Sequence, residues 1–587
     1  MTVSTDVRAS LLNEPHHDGG ELCVVDVPDR LGGDATVRLR VPRALSADDV
    51  VLRYTLDGEA RVTLARVDEE NEIETWWRAS FPVGNPRVSY RWLLSGGDAG
   101  YRWLNGLGLV GHDVADADDF VLTLDRGGPE WHLRSVGYEI FPDRFASSGL
   151  DVDAPGWAVR RAWDELPTPH GPATQYELFG GDLRGIEEHL DHIESLGANV
   201  LYLTPIFPSG SVHRYDATTF DRIDPLLGGD DALASLLRAA HAHGIRVVGD
   251  LTLNHTGVGH EWFARNEREL YLFDEDGGYA SWLGIDTLPK LNWQSGEVRR
   301  RMGAVARRWL DFGLDGWRID VANMAGRHGD VDDNATIASL ARSWLRDDEL
   351  LIAEYFHDFR ADLNGWHGVM NYAGFTKPVW EWLRGVEVEL DSPGLEVPLP
   401  RLGGAAAVAA MRAFRAGVPW PVALHSWAMI DSHDLGRFRT VCGSRELHAV
   451  GTGLQFTSPG VPMLFAGDEL GLEGETGEDA RRPMPWPHPE RWDTQILATY
   501  RQLGALRRSS DALARGGIRY AHADDDVVAY LRETKGERLL CVASRAPHAP
   551  LRLPLAAELE PLTGADGTAT AIPAEGPSFH VWRLIDG

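Results

Sequence analysis

At 587 residues the chain is too long for one domain, and three or four are expected. Its 57 basic against 88 acidic residues give a net charge of −31, which disfavours nucleic acid and anionic membranes, because phosphate binding needs clustered cations. Apolar residues make up 43%, enough for a large core, yet none of the apolar runs reaches the ~20 residues of a membrane span.

Cys23, Cys442 and Cys541 are far apart and form no CxxC pair, so neither a cysteine zinc site nor a disulfide framework is expected. The opening residues Met1 to Ser10 lack the apolar stretch of a signal peptide. A cytoplasmic location is expected, with a leader removed from a natural precursor left open.

Residues from about 20 to 125 alternate polar and apolar side chains, as in Thr36–Val41, Val50–Thr55, Thr75–Phe81 and Arg87–Leu93. Gly, Asp and Pro punctuate the runs. This pattern predicts a β-sandwich over 1–125. Asp113 to Asp119 reads as a loop, and Gly127-Gly-Pro129 as a linker. From 126 to 511 strands alternate with helices. Strands are predicted at Val136–Phe141, Asn199–Thr204, Arg246–Asp250, Asp315–Asp320, Leu350–Glu354, Gly368–Asn371, Trp427–Asp431 and Val461–Phe465. Amphipathic helices are predicted at Ile186–Leu196, Asp231–His243 and Glu297–Phe312. Eight strands with intervening helices predict an α/β fold, a (β/α)8 TIM barrel. The long interval after the third strand predicts an insert over 256–294. From 512 to 587 the β pattern returns, in Val527–Arg532, Leu539–Ala543 and Ser578–Leu584, and predicts a small C-terminal β-sandwich.

Catalytic groups of a barrel enzyme sit at the carboxyl ends of its strands. Asp320 and Glu354 each end a predicted strand, and Asp434 lies three residues past Asp431. One such acid is usually a helix cap or a loop ion pair. Three at equivalent barrel positions, with Arg318 beside one and His433 beside another, suggest an active site. Glycoside hydrolysis requires two carboxyl groups, one to attack and one to donate a proton. Arg318, on the same strand face as Asp320, is expected to hold that acid ionised as the nucleophile. Glu354, set among Ile352, Ala353, Tyr355 and Phe356, is expected to be a proton donor with a raised pKa.

The segments Asp250-Leu-Thr-Leu-Asn254-His255, Gly316-Trp-Arg318-Ile-Asp320, Ile352-Ala-Glu354-Tyr355 and Ile430-Asp-Ser-His433-Asp434 occur in that order. They resemble the signature regions of the α-amylase family (glycoside hydrolase family 13), which cleaves α-glucosidic bonds with retention. The resemblance runs over roughly residues 20–585. Tyr138–Phe145, Phe179–Leu183, Val212–Asp216 and Leu288–Asn292 are similar to the branch of cyclomaltodextrinases, neopullulanases, maltogenic amylases and maltodextrin glucosidases. Asn371–Phe375 and Arg482–Trp486 lean toward the maltodextrin glucosidases.

The resemblance implies that Asp434 binds hydroxyls of the reacting sugar, with His255 and His433 beside it. Asp250 and Asn254 would brace the wall. Tyr215 would stack under the sugar, next to Asp216; Arg437 would either pair with Asp216 and close the non-reducing end or form an ordinary structural salt bridge. Met324 stands where cyclomaltodextrinase-like enzymes often have Glu, a departure on the sugar-accepting side that bears on linkage preference. The 21 tryptophans serve either as core or as sugar platforms. The N-terminal sheets would resemble a starch-binding module. In this branch that module commonly covers a partner's active site, so a homodimer is expected.

Asp330-Val-Asp-Asp333-Asn334 lacks a calcium-loop spacing and reads as a solvated acidic loop. No metal and no organic cofactor are expected. The implied function is hydrolysis of α-1,4 and some α-1,6 bonds in short linear, branched or cyclic malto-oligosaccharides. A transglycosylase and a non-catalytic glucan-binding protein on the same fold are the alternatives.

Overall fold

The computed structural model describes residues 10–273, 277–387, 398–564, 566–568 and 570–585. All but the last of the residues searched for a leader lie outside that set. Strands β1 (Gly137–Ile140), β2 (Val200–Leu203), β3 (Arg246–Thr252), β4 (Gly316–Asp320), β5 (Leu350–Tyr355), β6 (Gly368–Asn371), β7 (Trp427–Ala428) and β8 (Val461–Phe465) form a closed barrel. Every neighbouring pair is parallel, and β8 closes on β1.

Side chains alternate across each strand, so each strand serves two cores. Leu201, Val247, Trp317, Ile319, Leu351 and Ala353 point outward, into the layer shared with the surrounding helices. Val200, Tyr202, Val248, Leu350, Ile352 and Met370 point into the barrel. Arg318 and Asp320 on β4, and Glu354 on β5, share the inner parity. The fold therefore places two acids and one base, all buried, at the carboxyl rim of the lumen.

The helix Gly296–Phe312 shows how the outer layer is built. Ser295 caps it by accepting from the backbone N–H groups of Glu297 and Val298. Val298, Met302, Val305, Ala306, Trp309 and Leu310 recur at helical spacing and are its buried face. Gly313 at φ 131° ends it, a backbone angle that favours glycine.

Three elements depart from the sequence reading. The helix predicted over 186–196 is two helices, Leu183–Glu187 and Leu190–Ser195. The His189 ring contacts the Gly185 carbonyl at 2.8 Å, a side-chain bond that competes with the helical ladder. Strand β7 stops at Ala428 rather than Asp431. The carbonyls of Met429 and Ile430 accept from Thr376 Oγ1 (2.8 Å) and Trp380 Nε1 (2.5 Å), so a neighbouring strand is not needed there. The C-terminal part has one five-stranded antiparallel sheet among the described residues: β9 (Gly517–Ala523), β10 (Val527–Glu533), β11 (Arg538–Ser544), β12 (Glu558–Thr563) and β13 (Ser578–Ile585). Leu551 and Ile572, joined by an isolated bridge, pack with Leu553 and Ala574 over one face of it.

The N-terminal part has two antiparallel sheets, of four and six strands. Tyr90 and Trp92 fill their shared core, whereas Tyr101 is 53% exposed. No described helix is long and apolar enough to cross a membrane.

At the amino end of the barrel three histidines are buried together. His132 Nδ1 lies 2.9 Å from His425 Nδ1, and His132 Nε2 accepts from Trp427 Nε1 at 3.1 Å. His367 Nδ1 accepts from the Leu351 N–H at 2.9 Å. Burial, reinforced by the charge of Arg342, pushes His425 down to about 3 and His367 to about 2. Burial likewise takes His448 to about 3. The unfolded chain binds these protons near pH 6.5 and the folded chain refuses them. Their stabilisation is thus present above about pH 6.5 and is lost as pH falls below it, by about 2 kcal/mol per group at pH 5. Tm is expected to fall steeply from about pH 7 to pH 5. A flat Tm in that window, by calorimetry, contradicts it.

Candidate active site

Arg318 is the centre of the rim. It is wholly buried, and three carboxylates converge on it. Its Nη1 lies 2.9 Å from Asp250 Oδ2 and 3.0 Å from Asp320 Oδ1, and its Nη2 lies 2.5 Å from Glu354 Oε1. Asp250 comes from β3, Asp320 from β4 and Glu354 from β5. Asp320 and Glu354 are thus pinned to the two terminal nitrogens of one guanidinium. The shared cation brings the two acids to one point of the rim, as the retaining class needs two carboxyl groups close together.

This arrangement corrects the electrostatic expectation. Arg318 was expected to hold Asp320 ionised, and Glu354 to sit in an apolar pocket. One cation serves three acids and cannot neutralise all of them. Burial, then the adjacent Glu354, raises Asp320 well above the carboxylate range, with Arg318 opposing. Burial raises Glu354 too, again opposed by Arg318. The raised Glu354 is as expected, with burial its main cause, although of its chain neighbours Ala353 and Tyr355 point out of the barrel and Ile352 points in. Its partners are Arg318 and the backbone N–H of Val321, which donates to Glu354 Oε2 at 2.7 Å. The pair therefore titrates as a unit that keeps a proton to higher pH than isolated acids do.

Val321, directly after Asp320, sits at φ 36° and ψ 47°, in the left-handed region. A β-branched residue there is strained. The strain turns the Val321 N–H toward Glu354 and joins the two acids through the backbone.

The loop after β7 supplies the opposite wall. His433 Nδ1 contacts Glu139 Oε1, and its Nε2 lies 2.7 Å from the Tyr215 hydroxyl and 3.1 Å from Asp434 Oδ2. Burial lowers the His433 pKa, but Asp434 and Glu139 together outweigh it and raise it. Asp434 also accepts from Arg481 Nη2 at 3.1 Å. Burial pushes Asp434 up, and His433, Arg481 and Arg318 push it further down, so its pKa lies below the ordinary carboxylate value. The Tyr215 hydroxyl also lies 3.2 Å from Asp250 Oδ2. Beyond β3, His255 is held at its Nδ1 by Asn254 at 3.0 Å. His255 Nε2 is buried without a partner, and burial takes its pKa to about 3, so the ring is neutral.

Arg437 does not pair with Asp216. It is buried against Asp468 Oδ1 (2.7 Å) and the carbonyls of Phe465, Ala466 and Ala480, a structural role behind the wall. Asp216 accepts instead from Ser211 Oγ (2.6 Å) and the Gly210 N–H (3.0 Å) within its own loop.

Sequence reasoning missed Glu139 and Arg481. Glu139 is an acid inside the first barrel strand, a signal of the same kind that singled out Asp320. Arg481 lies far from every strand and becomes visible only in the fold. Asp332 of the acidic loop pairs with Arg327 at 3.0 Å.

Residues 139–282 and 269–374 match the α-amylase catalytic domain family. The chain is 31% identical over 508 residues to a protein named neopullulanase 2 from Thermoactinomyces vulgaris, covering 81% of this chain and 80% of that protein. Among solved structures, it is 32% identical to the cyclic α-maltosyl-(1→6)-maltose hydrolase from Arthrobacter globiformis, with a TM-score of 0.63, covering 72% of this chain and 92% of that one. It is 26% identical to the type III pullulan hydrolase from Thermococcus kodakarensis, with a TM-score of 0.71, covering 97% of this chain and all of that one. With a parallel barrel and paired carboxylates at its rim, the chain belongs to the α-amylase family and is a glycoside hydrolase.

Proposed function

We propose that this enzyme hydrolyses α-1,4 and α-1,6 bonds in short linear, branched or cyclic malto-oligosaccharides by double displacement. The observation that carries the reading is the shared clamp of Arg318 on Asp320 and Glu354. Asp320 attacks the anomeric carbon while Glu354 gives its proton to the glycosidic oxygen, and the leaving sugar departs. Glu354, now ionised, takes a proton from water, and the resulting hydroxide displaces Asp320. The ionised Asp434 and the neutral His255 accept and donate hydrogen bonds at the sugar hydroxyls. His433 and Tyr215, whose hydroxyl accepts from Arg318 Nη1 at 3.4 Å, fix the ring beside that clamp.

The relatives named for neopullulan-type and cyclic maltosyl-maltose cleavage support a substrate that is small and carries both linkages. The Trp282 indole in the insert adds a surface for one. It lies 5.8 Å from the His255 ring, and its Nε1 is buried without a partner.

A homodimer is part of the same reading. Val62 and Leu64, on an edge strand of the six-stranded N-terminal sheet, are 69% and 66% exposed. An uncovered apolar edge suits a second copy. The absence of paired cysteines among Cys23, Cys442 and Cys541 suits a cytoplasmic location.

Product analysis over maltotriose, panose, cyclodextrins, cyclic tetrasaccharides, pullulan and starch tests the assignment. The oligosaccharides are expected to be cleaved at least about tenfold more efficiently than starch, a difference of about 1.4 kcal/mol in barrier. Ultracentrifugation is expected to find a dimer that Val62→Glu with Leu64→Glu dissociates. Preferential cleavage of starch by a monomer contradicts the reading.

A further inference from the structure

We propose that His522, Asp524 and His548 form a zinc site on the C-terminal sheet, separate from the reacting carboxylates. His522 lies in β9, at a register shift that follows Tyr520, and a bulge of this kind re-aims a side chain. Asp524 begins the turn into β10, and His548 lies on the segment that follows β11. The three donor atoms lie within 4.8 Å of one another.

Two of the three groups, Asp524 and His548, are oriented from outside the cluster. Asp524 Oδ1 accepts from the N–H groups of Asp526 (2.9 Å) and Val527 (2.8 Å), which leaves Oδ2 to face inward. His522 Nε2 lies 2.8 Å from that Oδ2, and His548 Nε2 lies 3.1 Å from it. His548 Nδ1 donates to the Ala549 carbonyl at 2.6 Å, which leaves Nε2 to face the same Oδ2. A ring N–H held by a carbonyl while the other nitrogen faces the ligand position is the usual outer arrangement of a metal-binding histidine.

The spacing fits as well. Zn–N and Zn–O bonds of about 2.0–2.2 Å place tetrahedral donors about 3.3 Å apart, and the two histidine–carboxylate separations need only a small expansion. Two imidazoles and one carboxylate suit zinc, and the partial exposure of all three leaves the fourth position to water. Bound zinc would tie the β9–β10 hairpin to the segment after β11.

Two other clusters do not qualify. Asp18, beside His16 and Cys23, spends its oxygens on the N–H groups of Gly20 and Ile518. Asp191 and Glu194, beside His243, are surface side chains.

Titration calorimetry of the chelator-treated, desalted full chain with zinc chloride tests the site. One zinc per chain is expected to bind in the low-micromolar range or tighter, raising Tm. H522Q and H548Q are each expected to weaken it at least about tenfold, D524N similarly, and D191N not at all. Hydrolytic activity is expected to be the same with and without zinc. Absence of saturable binding, or unchanged binding in the H522Q/H548Q double variant, overturns the proposal.

Discussion

Asp320→Asn is expected to lower kcat by at least about 10⁴ while the protein stays folded. Loss of the attacking group in a catalytic unit costs rates of this order, about 5 kcal/mol in barrier. The amide keeps the shape of the carboxylate and can still accept from Arg318 Nη1, which lies 3.0 Å from the oxygen it replaces. It also removes a buried charge beside Glu354, the repulsion that raises Asp320. Tm is therefore expected to hold or rise, as when a strained catalytic group is relieved. Sugar binding, measured by calorimetry with maltotriose, is expected to persist. Most of the wild-type rate surviving in this variant removes Asp320 as nucleophile.

Glu354→Gln is expected to cost natural oligosaccharides about 10²–10⁴ in rate, the usual contribution of a positioned acid. Glucosides with very good leaving groups need little protonation, so their first step is expected to lose far less. The pH profile gives a second readout. Because burial raises Glu354 and the pair keeps one proton, the alkaline limb of kcat/KM is expected above the ordinary Glu value of about 4.3. That limb is expected to vanish for the activated substrate in Glu354→Gln. Equal losses for good and poor leaving groups contradict the role of proton donor.

The barrel was readable because its inward and outward positions are both apolar over most of each strand, and the exceptions cluster at one end. Asp320, Glu354 and Asp434 stood out as acids at or just past strand ends. Their electrostatics did not, because sequence neighbours on a strand face opposite sides. Ala353 and Tyr355 flank Glu354 in the chain but pack outside, while Arg318, from another strand, touches it. The partner of Arg437 was missed for a related reason. A loop cation finds whichever acid the fold brings near, here Asp468 rather than Asp216. Glu139 and Arg481 act by holding His433 and Asp434, contacts made between segments about 300 and 50 residues apart in the chain. Local pattern carries no trace of such pairings. The early end of β7 follows from side-chain donors on a neighbouring helix, which periodicity also does not encode.

The stereochemistry of the first product tests the central claim most directly. Proton NMR of the anomeric signals during the first turnovers on maltotriose separates one displacement from two. A double displacement through Asp320, with Glu354 as acid and then base, releases the α-anomer first, with β-anomer growing only by mutarotation. Initial release of the β-anomer would mean that water attacks directly, and would contradict Asp320 as a covalent nucleophile.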